Sequence, residues 1–84
     1  MFYKQQEHTY NGVAEARKKL GHTQAELAEK TQVTRQTIIA IEKGNYTPSV
    51  LLALKLAKTL GKSVEELFWL RKVYSKKTVA AIFR

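Results

Sequence analysis

A cluster of hydrogen-bonding side chains lies between positions 34 and 43, within a stretch that has the length of a short helix. Besides Glu42, its polar members are Thr34, Arg35, Gln36, Thr37 and Lys43. Glutamine amides and arginine guanidinium groups form paired hydrogen bonds with adenine and guanine in the major groove of DNA. Hydroxyls and lysines bind phosphates as well. These residue types indicate a surface that could read duplex nucleic acid.

A helix over residues 35–43 would divide this segment into two faces. At about 100° per residue, Ile38 and Ile41 share one side and form an apolar packing face. The opposite side would bring polar groups to base edges, and Ile39 there could contact a thymine methyl group. The predicted base-reading set consists of Thr34, Arg35, Gln36, Thr37, Ile39 and Ala40.

Four further residues are predicted to contact the DNA backbone. Gln24 would lie in the first turn of the preceding helix, where free backbone N–H groups and the positive end of the helix dipole attract phosphate. Lys43, Asn45 and Tyr46 follow the base-reading helix and could contact sugar and phosphate. Such contacts orient a protein on DNA without specifying sequence.

Strong start and stop signals divide the chain into short helices. Capping boxes at 23–26 and 63–66 predict helix starts, because the first hydroxyl and the last glutamate satisfy each other's backbone N–H groups. Glycines predict helix ends, and Pro48 forbids a helix across 45–48. The predicted helices span about 11–20, 24–31, 35–43, 50–60 and 64–68.

The length of 84 residues suffices for one domain. We expect an all-α, compact five-helix domain over residues 11–70, with an N-terminal extension at 1–10 and a basic C-terminal tail at 71–84. The apolar run within 78–83 is compatible with a strand, a frayed helix or a docking tail. A small strand pairing between the extensions is therefore one open alternative.

Composition limits the classes of function. Fifteen basic and seven acidic residues give a net charge of +8, which favours a polyanionic partner, although simple solubility or attachment to a membrane surface also fits. Two histidines and no cysteine offer no spacing for a metal site. We expect no enzyme activity, no metal and no cofactor. No signal peptide or apolar run of membrane-spanning length is present, which predicts a cytoplasmic protein.

The fourth predicted helix is more apolar than one core-facing side requires. Val50, Ala53, Leu54, Ala57 and Leu60 are assigned to the core face. The remaining apolar residues suggest a second hydrophobic surface, which in a small protein often serves self-association. The predicted dimer interface consists of Leu51, Leu52, Phe68, Trp69 and Leu70.

The ordered combination of these motifs over residues 11–70 resembles the Xre-type helix-turn-helix family, which includes relatives of phage Cro and lambda-type repressors. The matching residues include Arg17, the run Gly21 to Lys30, Val33 to Ile38, Ile41 to Gly44, Pro48-Ser49 and Ser63 to Phe68. The resemblance implies a DNA-binding regulator that acts as a homodimer on a palindromic operator. We therefore expect a sequence-specific transcriptional regulator with double-stranded DNA as its partner and no small-molecule effector. Repression is the favoured mode of action.

The resemblance also assigns an ion pair between Arg17 and Glu42 that would join the first helix to the end of the base-reading helix. Gln32 departs from the family pattern, because a glycine with a positive φ is common in the turn. We expect this substitution either to strain the turn modestly or to alter it. The alternative function is a protein-interaction module of the same fold, such as the antitoxin of a toxin–antitoxin pair.

Overall fold

A computed structural model describes residues 7–72 of the protein. It contains the five expected helices and a two-stranded antiparallel sheet. The expectations for residues 1–6 and for the tail beyond Lys72 lie outside the described residues. In chain order the elements are β1 (Glu7–Asn11), α1 (Val13–Lys19), α2 (Gln24–Thr31), α3 (Arg35–Glu42), α4 (Val50–Leu60), α5 (Val64–Leu67) and β2 (Phe68–Lys72).

Both predicted capping boxes form. Thr23 Oγ1 accepts from the Glu26 backbone N–H at 3.0 Å, and Glu26 Oε1 accepts from the Thr23 N–H at 2.8 Å. The Ser63–Glu66 pair repeats this arrangement at 3.1 and 2.8 Å. The hydrogen bond from the Thr23 backbone N–H to the Glu26 carboxylate, followed by that from the Thr23 side chain, holds the pKa of Glu26 below its ordinary value of 4.5. The pKa of Glu66 is lowered in the same way by Ser63.

Four helices end in the same backbone motif, in which a residue of positive φ reverses the chain. Glycine occupies this position after α1, α3 and α4, whereas Gln32 occupies it after α2 with φ 63°. The paired hydrogen bonds of the motif are retained there, from Gln32 N to Glu29 O at 3.2 Å and from Val33 N to Ala28 O at 3.0 Å. The turn thus keeps its hydrogen bonds, and Gln32 adopts a left-handed conformation that is unfavourable for a non-glycine residue.

Replacing Gln32 with glycine is expected to stabilise the protein by about 0.5–1 kcal/mol. The left-handed conformation costs a non-glycine residue about 1–2 kcal/mol, and the greater freedom of glycine in the unfolded chain offsets about 0.4–1 kcal/mol of that relief. The exposed hydrogen bond from Lys55 Nζ to Gln32 Oε1 at 2.9 Å contributes little. Urea denaturation measures the effect. Gln32→Ala is the control, because it loses the same hydrogen bond and keeps the strain; equal stabilities of the two variants would contradict the prediction.

All five helices contribute to one core. Val13, Leu27, Ile38, Ile41, Leu56 and Leu67 are each at most 1% exposed. The face of α4 that enters this core differs from the predicted one. Leu52, Ala53, Leu56, Ala57 and Leu60 are buried, whereas Val50 and Leu54 are 77% and 55% exposed. Positions 50 and 54 lie about 80–120° from the centre of the buried stripe, so the prediction that they pack on the core is wrong.

The strand before α1 and the strand after α5 pair with each other in antiparallel orientation. Their register runs from Glu7 opposite Lys72 to Asn11 opposite Phe68. Gly12 N donates to Leu67 O at 2.9 Å, which continues the connection to the end of α5. Both strands cross the domain boundaries expected from the sequence at residues 10/11 and 70/71. Within residues 7–72, no helix has the length and hydropathy needed to cross a membrane.

Candidate nucleic-acid interface

Helices α2 and α3 are joined by a short turn at residues 32–34, which is the connection expected of a helix-turn-helix. Thr34 caps α3 by accepting from the Thr37 N–H at 3.2 Å. Ile38 and Ile41 are fully buried, so α3 packs through the face that the sequence predicted. The opposite side of α3 is consequently directed away from the core.

Four of the predicted base-reading residues, Arg35, Gln36, Ile39 and Ala40, lie on this outer side, whereas Thr37 flanks the buried isoleucines and lines a cleft with residues of α4. Arg35 and Gln36 are exposed, while Ile39 and Ala40 are half-buried. Among the described residues, the Gln36 side chain has no hydrogen-bond partner, so its amide is available to a ligand. The Thr34 and Thr37 hydroxyls lie 3.0 Å apart and bond to each other. One hydroxyl hydrogen of the pair can still be donated outward.

A buried ion pair fixes α3 to α1. Arg17 is 8% exposed. Its Nε donates to Glu42 Oε2 at 2.6 Å and its Nη2 donates to Glu42 Oε1 at 3.2 Å. Its Nη1 donates to the His22 carbonyl at 2.9 Å. The structure therefore brings together the two residues that the family resemblance paired, in the bidentate geometry that strengthens such bonds.

The same carboxylate orients Gln24 at the start of α2. Gln24 Nε2 donates to Glu42 Oε1 at 3.0 Å, so Gln24 Oε1 turns toward Arg35 and accepts from its Nη2 at 3.5 Å. One hydrogen of the Gln24 amide thus remains for a phosphate oxygen. This link from Gln24 to Glu42 was not anticipated, because no local motif signals a contact between residues 18 positions apart.

An open cleft of about 630 Å³ lies between the start of α2 and the start of α3. Two arginines border it, together with the first turn of α2, whose leading backbone N–H groups have no partner inside the helix. These features suit a negatively charged oxygen. The lining residues are Arg17, Thr23, Gln24, Ala25 and Arg35.

The remaining predicted phosphate ligands follow α3 directly. Lys43 is the C-cap residue of α3 and is exposed, as is Asn45. Tyr46 is 48% exposed. Gly44 follows Lys43 with φ 80° and reverses the chain, so Asn45 and Tyr46 begin the loop to α4. The start of α2, the outer side of α3 and this loop are together called the border of the molecule; they carry Gln24, Arg35, Gln36, Lys43, Asn45 and Tyr46.

The predicted dimer residues differ in how far they are exposed. Leu52 requires a correction: it is only 7% exposed and packs in the core, because its side of α4 faces inward. Phe68 is half-buried against the same core. Leu51, Trp69 and Leu70 are 65%, 47% and 69% exposed. Sequence reasoning missed Val50 and Leu54 as surface residues because it assigned them to the wrong side of α4.

Comparison with known proteins agrees with this geometry. The helix-turn-helix family matches residues 13–67. An HTH-type transcriptional regulator of Bacillus subtilis, YgzD, is 52% identical over 60 residues, which are 71% of this chain and 91% of YgzD. An HTH-type transcriptional regulator of Methanothermobacter thermautotrophicus is 56% identical over 57 residues, 67% of this chain and 83% of its own length.

Two solved structures share the fold at 30% identity. The restriction-modification controller protein C.AhdI of Aeromonas hydrophila superposes with a TM-score of 0.61 over 64% of this chain and 82% of its own. The clp gene regulator ClgR of Corynebacterium glutamicum superposes with a TM-score of 0.60 over 63% of this chain, which spans only 56% of ClgR. The paired helices, the outward polar side of α3 and these relatives agree: the chain belongs to the Xre-type helix-turn-helix family of DNA-binding transcription regulators.

Proposed function

We propose that the protein is a sequence-specific regulator that inserts α3 into the major groove of duplex DNA. The observation that carries this proposal is the exposure of Arg35 and Gln36 on the side of α3 opposite its buried isoleucines. Neither β1 nor β2 covers these two side chains. An α-helix fits the major groove, where guanidinium and amide groups can identify guanine and adenine.

The charge distribution on this border supports binding to a polyanion. Arg35 and Lys43 add positive charge, and the carboxylate of Glu42 is already paired with Arg17. No acidic residue lies in the first turn of α3. Contacts from Gln24, Asn45 and Tyr46 would orient the helix on the sugar–phosphate backbone.

A homodimer on a palindromic operator extends this proposal. One module reads few base pairs, whereas two modules related by a two-fold axis read half-sites about 10–10.5 bp apart. Val50, Leu51 and Leu54 provide an exposed apolar surface on α4 that a second copy could cover. In this arrangement the regulator would act as a repressor in the cytoplasm, by occupying promoter DNA.

Selection of bound sequences from random duplex DNA by the purified full-length protein tests the function directly. We expect enrichment of a motif with two-fold symmetry and half-sites separated by one helical turn. Enrichment of no motif would contradict the proposal. That result would favour the alternative function, a protein-interaction module in which the exposed residues of α3 do not contact bases.

Lys43→Ala should weaken binding to every DNA sequence by a similar factor. Because each phosphate neutralised by a lysine releases counterions, the slope of log K against log salt should become shallower by about one unit per bound protomer. Titrations at several salt concentrations on selected and random duplexes measure this slope. Lys62→Ala is the matched control, since Lys62 lines a different cleft with α1 and α5 residues. An unchanged slope for Lys43→Ala would remove Lys43 from the phosphate contacts.

A further inference from the structure

The first strand lies against the loop that follows α3. Thr9 Oγ1 is 3.2 Å from Thr47 Oγ1, across 38 positions of sequence. Two residues further along β1, Asn11 Nδ2 donates to the carbonyl of Ile41 at 2.8 Å. Val13 N donates to Asn11 Oδ1 at 3.1 Å, which holds this amide in place. The strand is therefore attached to the border of the molecule that carries the proposed phosphate ligands.

A cleft of about 210 Å³ separates β1 from the end of α3. The only carboxylate in its lining is Glu42, whose two oxygens already accept from Arg17 and Gln24. Among the side chains described for residues 9–70, Lys43 forms no ion pair. Of the charged groups in the described lining, the Lys43 ammonium is therefore the one without an opposite charge paired to it. Its lining residues are Thr9, Tyr10, Asn11, Glu42, Lys43 and Gly44.

The two threonine hydroxyls add a neutral donor beside this charge. In a pair of hydroxyls only one donates to the other, so one O–H hydrogen remains for an outside acceptor. Thr47 is exposed, and Thr9 is half-buried at the edge of the cleft. A hydroxyl and an ammonium group together are a common ligand set for the phosphates of DNA.

We propose that Thr9, Thr47 and Lys43 form a phosphate clamp, which binds one phosphodiester of the DNA backbone beyond the bases read by α3. The clamp rests on the proposed function and extends it, because it makes β1 a part of the DNA interface. The phosphate bound by Lys43 then gains a donor from β1 that a bare five-helix unit would not supply. Pairing of β1 with β2 holds Thr9 beside the loop that contains Thr47.

Thr9→Val removes the hydroxyl of the clamp and keeps the shape of the side chain. Valine is at least as favourable as threonine in a strand, so the fold should persist. We expect affinity to fall by about three- to tenfold per bound protomer, the usual net effect of losing one typical hydrogen bond. The loss should be equal on selected and random DNA. The salt slope should stay unchanged, because a hydroxyl releases no counterion.

Thr9→Ser and Thr47→Val separate the clamp from a purely structural contact. The serine variant retains the hydroxyl and should bind DNA as the unaltered protein does. Thr9 lines the cleft with Lys43, so its hydroxyl is the donor to the phosphate. Thr47→Val removes only the group that orients this hydroxyl, so it should weaken binding less than Thr9→Val does, and the double variant should bind as Thr9→Val does. Unfolding curves of all variants report any loss of stability. Wild-type affinity in Thr9→Val, or a serine variant as weak as the valine variant, would overturn the clamp.

Neutral methylphosphonate substitutions, placed one at a time along the DNA, identify the phosphate itself. At one position outside the bases contacted by α3, the substitution should weaken the unaltered protein more than it weakens Thr9→Val, because Lys43 still binds that phosphate in the variant. Equal sensitivity of both proteins at every position would overturn the proposal. The unaltered protein's preference for selected over random DNA tests the proposed function separately. If that preference is present while Thr9→Val binds normally, only the clamp fails; if no DNA is bound, both fail.

Discussion

Glu42→Ala is expected to lower the free energy of unfolding by about 3–5 kcal/mol, the usual effect of removing one partner from a buried ion pair. The substitution leaves the Arg17 guanidinium buried, with the His22 carbonyl as its remaining acceptor among the described residues. A domain of this length unfolds with a free energy of about 4–13 kcal/mol. The variant should therefore be marginally folded, which urea denaturation monitored by circular dichroism can measure.

A double replacement separates the loss of the pair from the exposure of an unpaired charge. Arg17→Met together with Glu42→Leu removes both charges and keeps much of the side-chain volume. Apolar replacement of a buried ion pair is often neutral or stabilising, so the double variant should recover most of the stability that Glu42→Ala loses. A loss below about 1 kcal/mol in Glu42→Ala would show that Arg17 reaches solvent and needs no partner.

The ion pair also determines how the candidate interface is arranged. Glu42 is the last residue of α3, and it binds both Arg17 from α1 and Gln24 from α2. Rotation of α3 about its own axis would break both contacts. The double variant should thus fold well yet bind DNA more weakly, because Gln24 and α3 lose the group that orients them.

Local signals made the helix boundaries predictable. At Thr23 and Ser63, the start of a helix depends on hydrogen bonds that span three residues, and both capping boxes form as the sequence indicated. Gly61 reverses the chain at the end of α4 with φ 68°. The positive φ of Gln32 was also foreseeable, because the turn requires that conformation from whichever residue occupies the position.

Non-local packing limited the prediction elsewhere. Almost every side of α4 carries apolar residues, so periodicity alone could not identify which side the other helices cover; Leu52 and Leu54 were consequently interchanged. The strand β2 begins directly after α5, where Phe68 had been assigned to the helix. Its pairing with β1 depends on residues about 60 positions apart, and no pattern within either segment determines that register.

The positions of the α3 residues in the candidate interface could be predicted from the sequence, whereas their contacts with other elements could not. The outer residues of α3 follow from helical periodicity once Ile38 and Ile41 are assigned to the core. The contacts of Asn11 with Ile41 and of Thr9 with Thr47 connect β1 to the same border. Neither contact could be derived from spacing, because each depends on where the sheet positions its strand.

Gln36→Ala is expected to reduce affinity for the selected operator by about 1–3 kcal/mol per half-site, the effect of losing a paired hydrogen bond to a base. Binding to random DNA should change little, so the specificity ratio should fall by a similar factor. Gln36 is exposed and has no side-chain partner among the described residues. Alanine is also a good helix former, so the fold should be unaffected. Titrations of both proteins on both DNAs give the four affinities required.

Base analogues test whether the Gln36 amide reads an adenine. Replacing that adenine with 7-deazaadenine removes the N7 acceptor and leaves Watson–Crick pairing intact. The unaltered protein should lose affinity at one adenine of each half-site, and Gln36→Ala should be insensitive at that position. If Gln36→Ala instead weakens operator and random DNA equally, or remains as sensitive to the analogue as the unaltered protein, then Gln36 does not read that adenine. Sequence reading would in that case depend on Arg35 and on the apolar contact of Ile39.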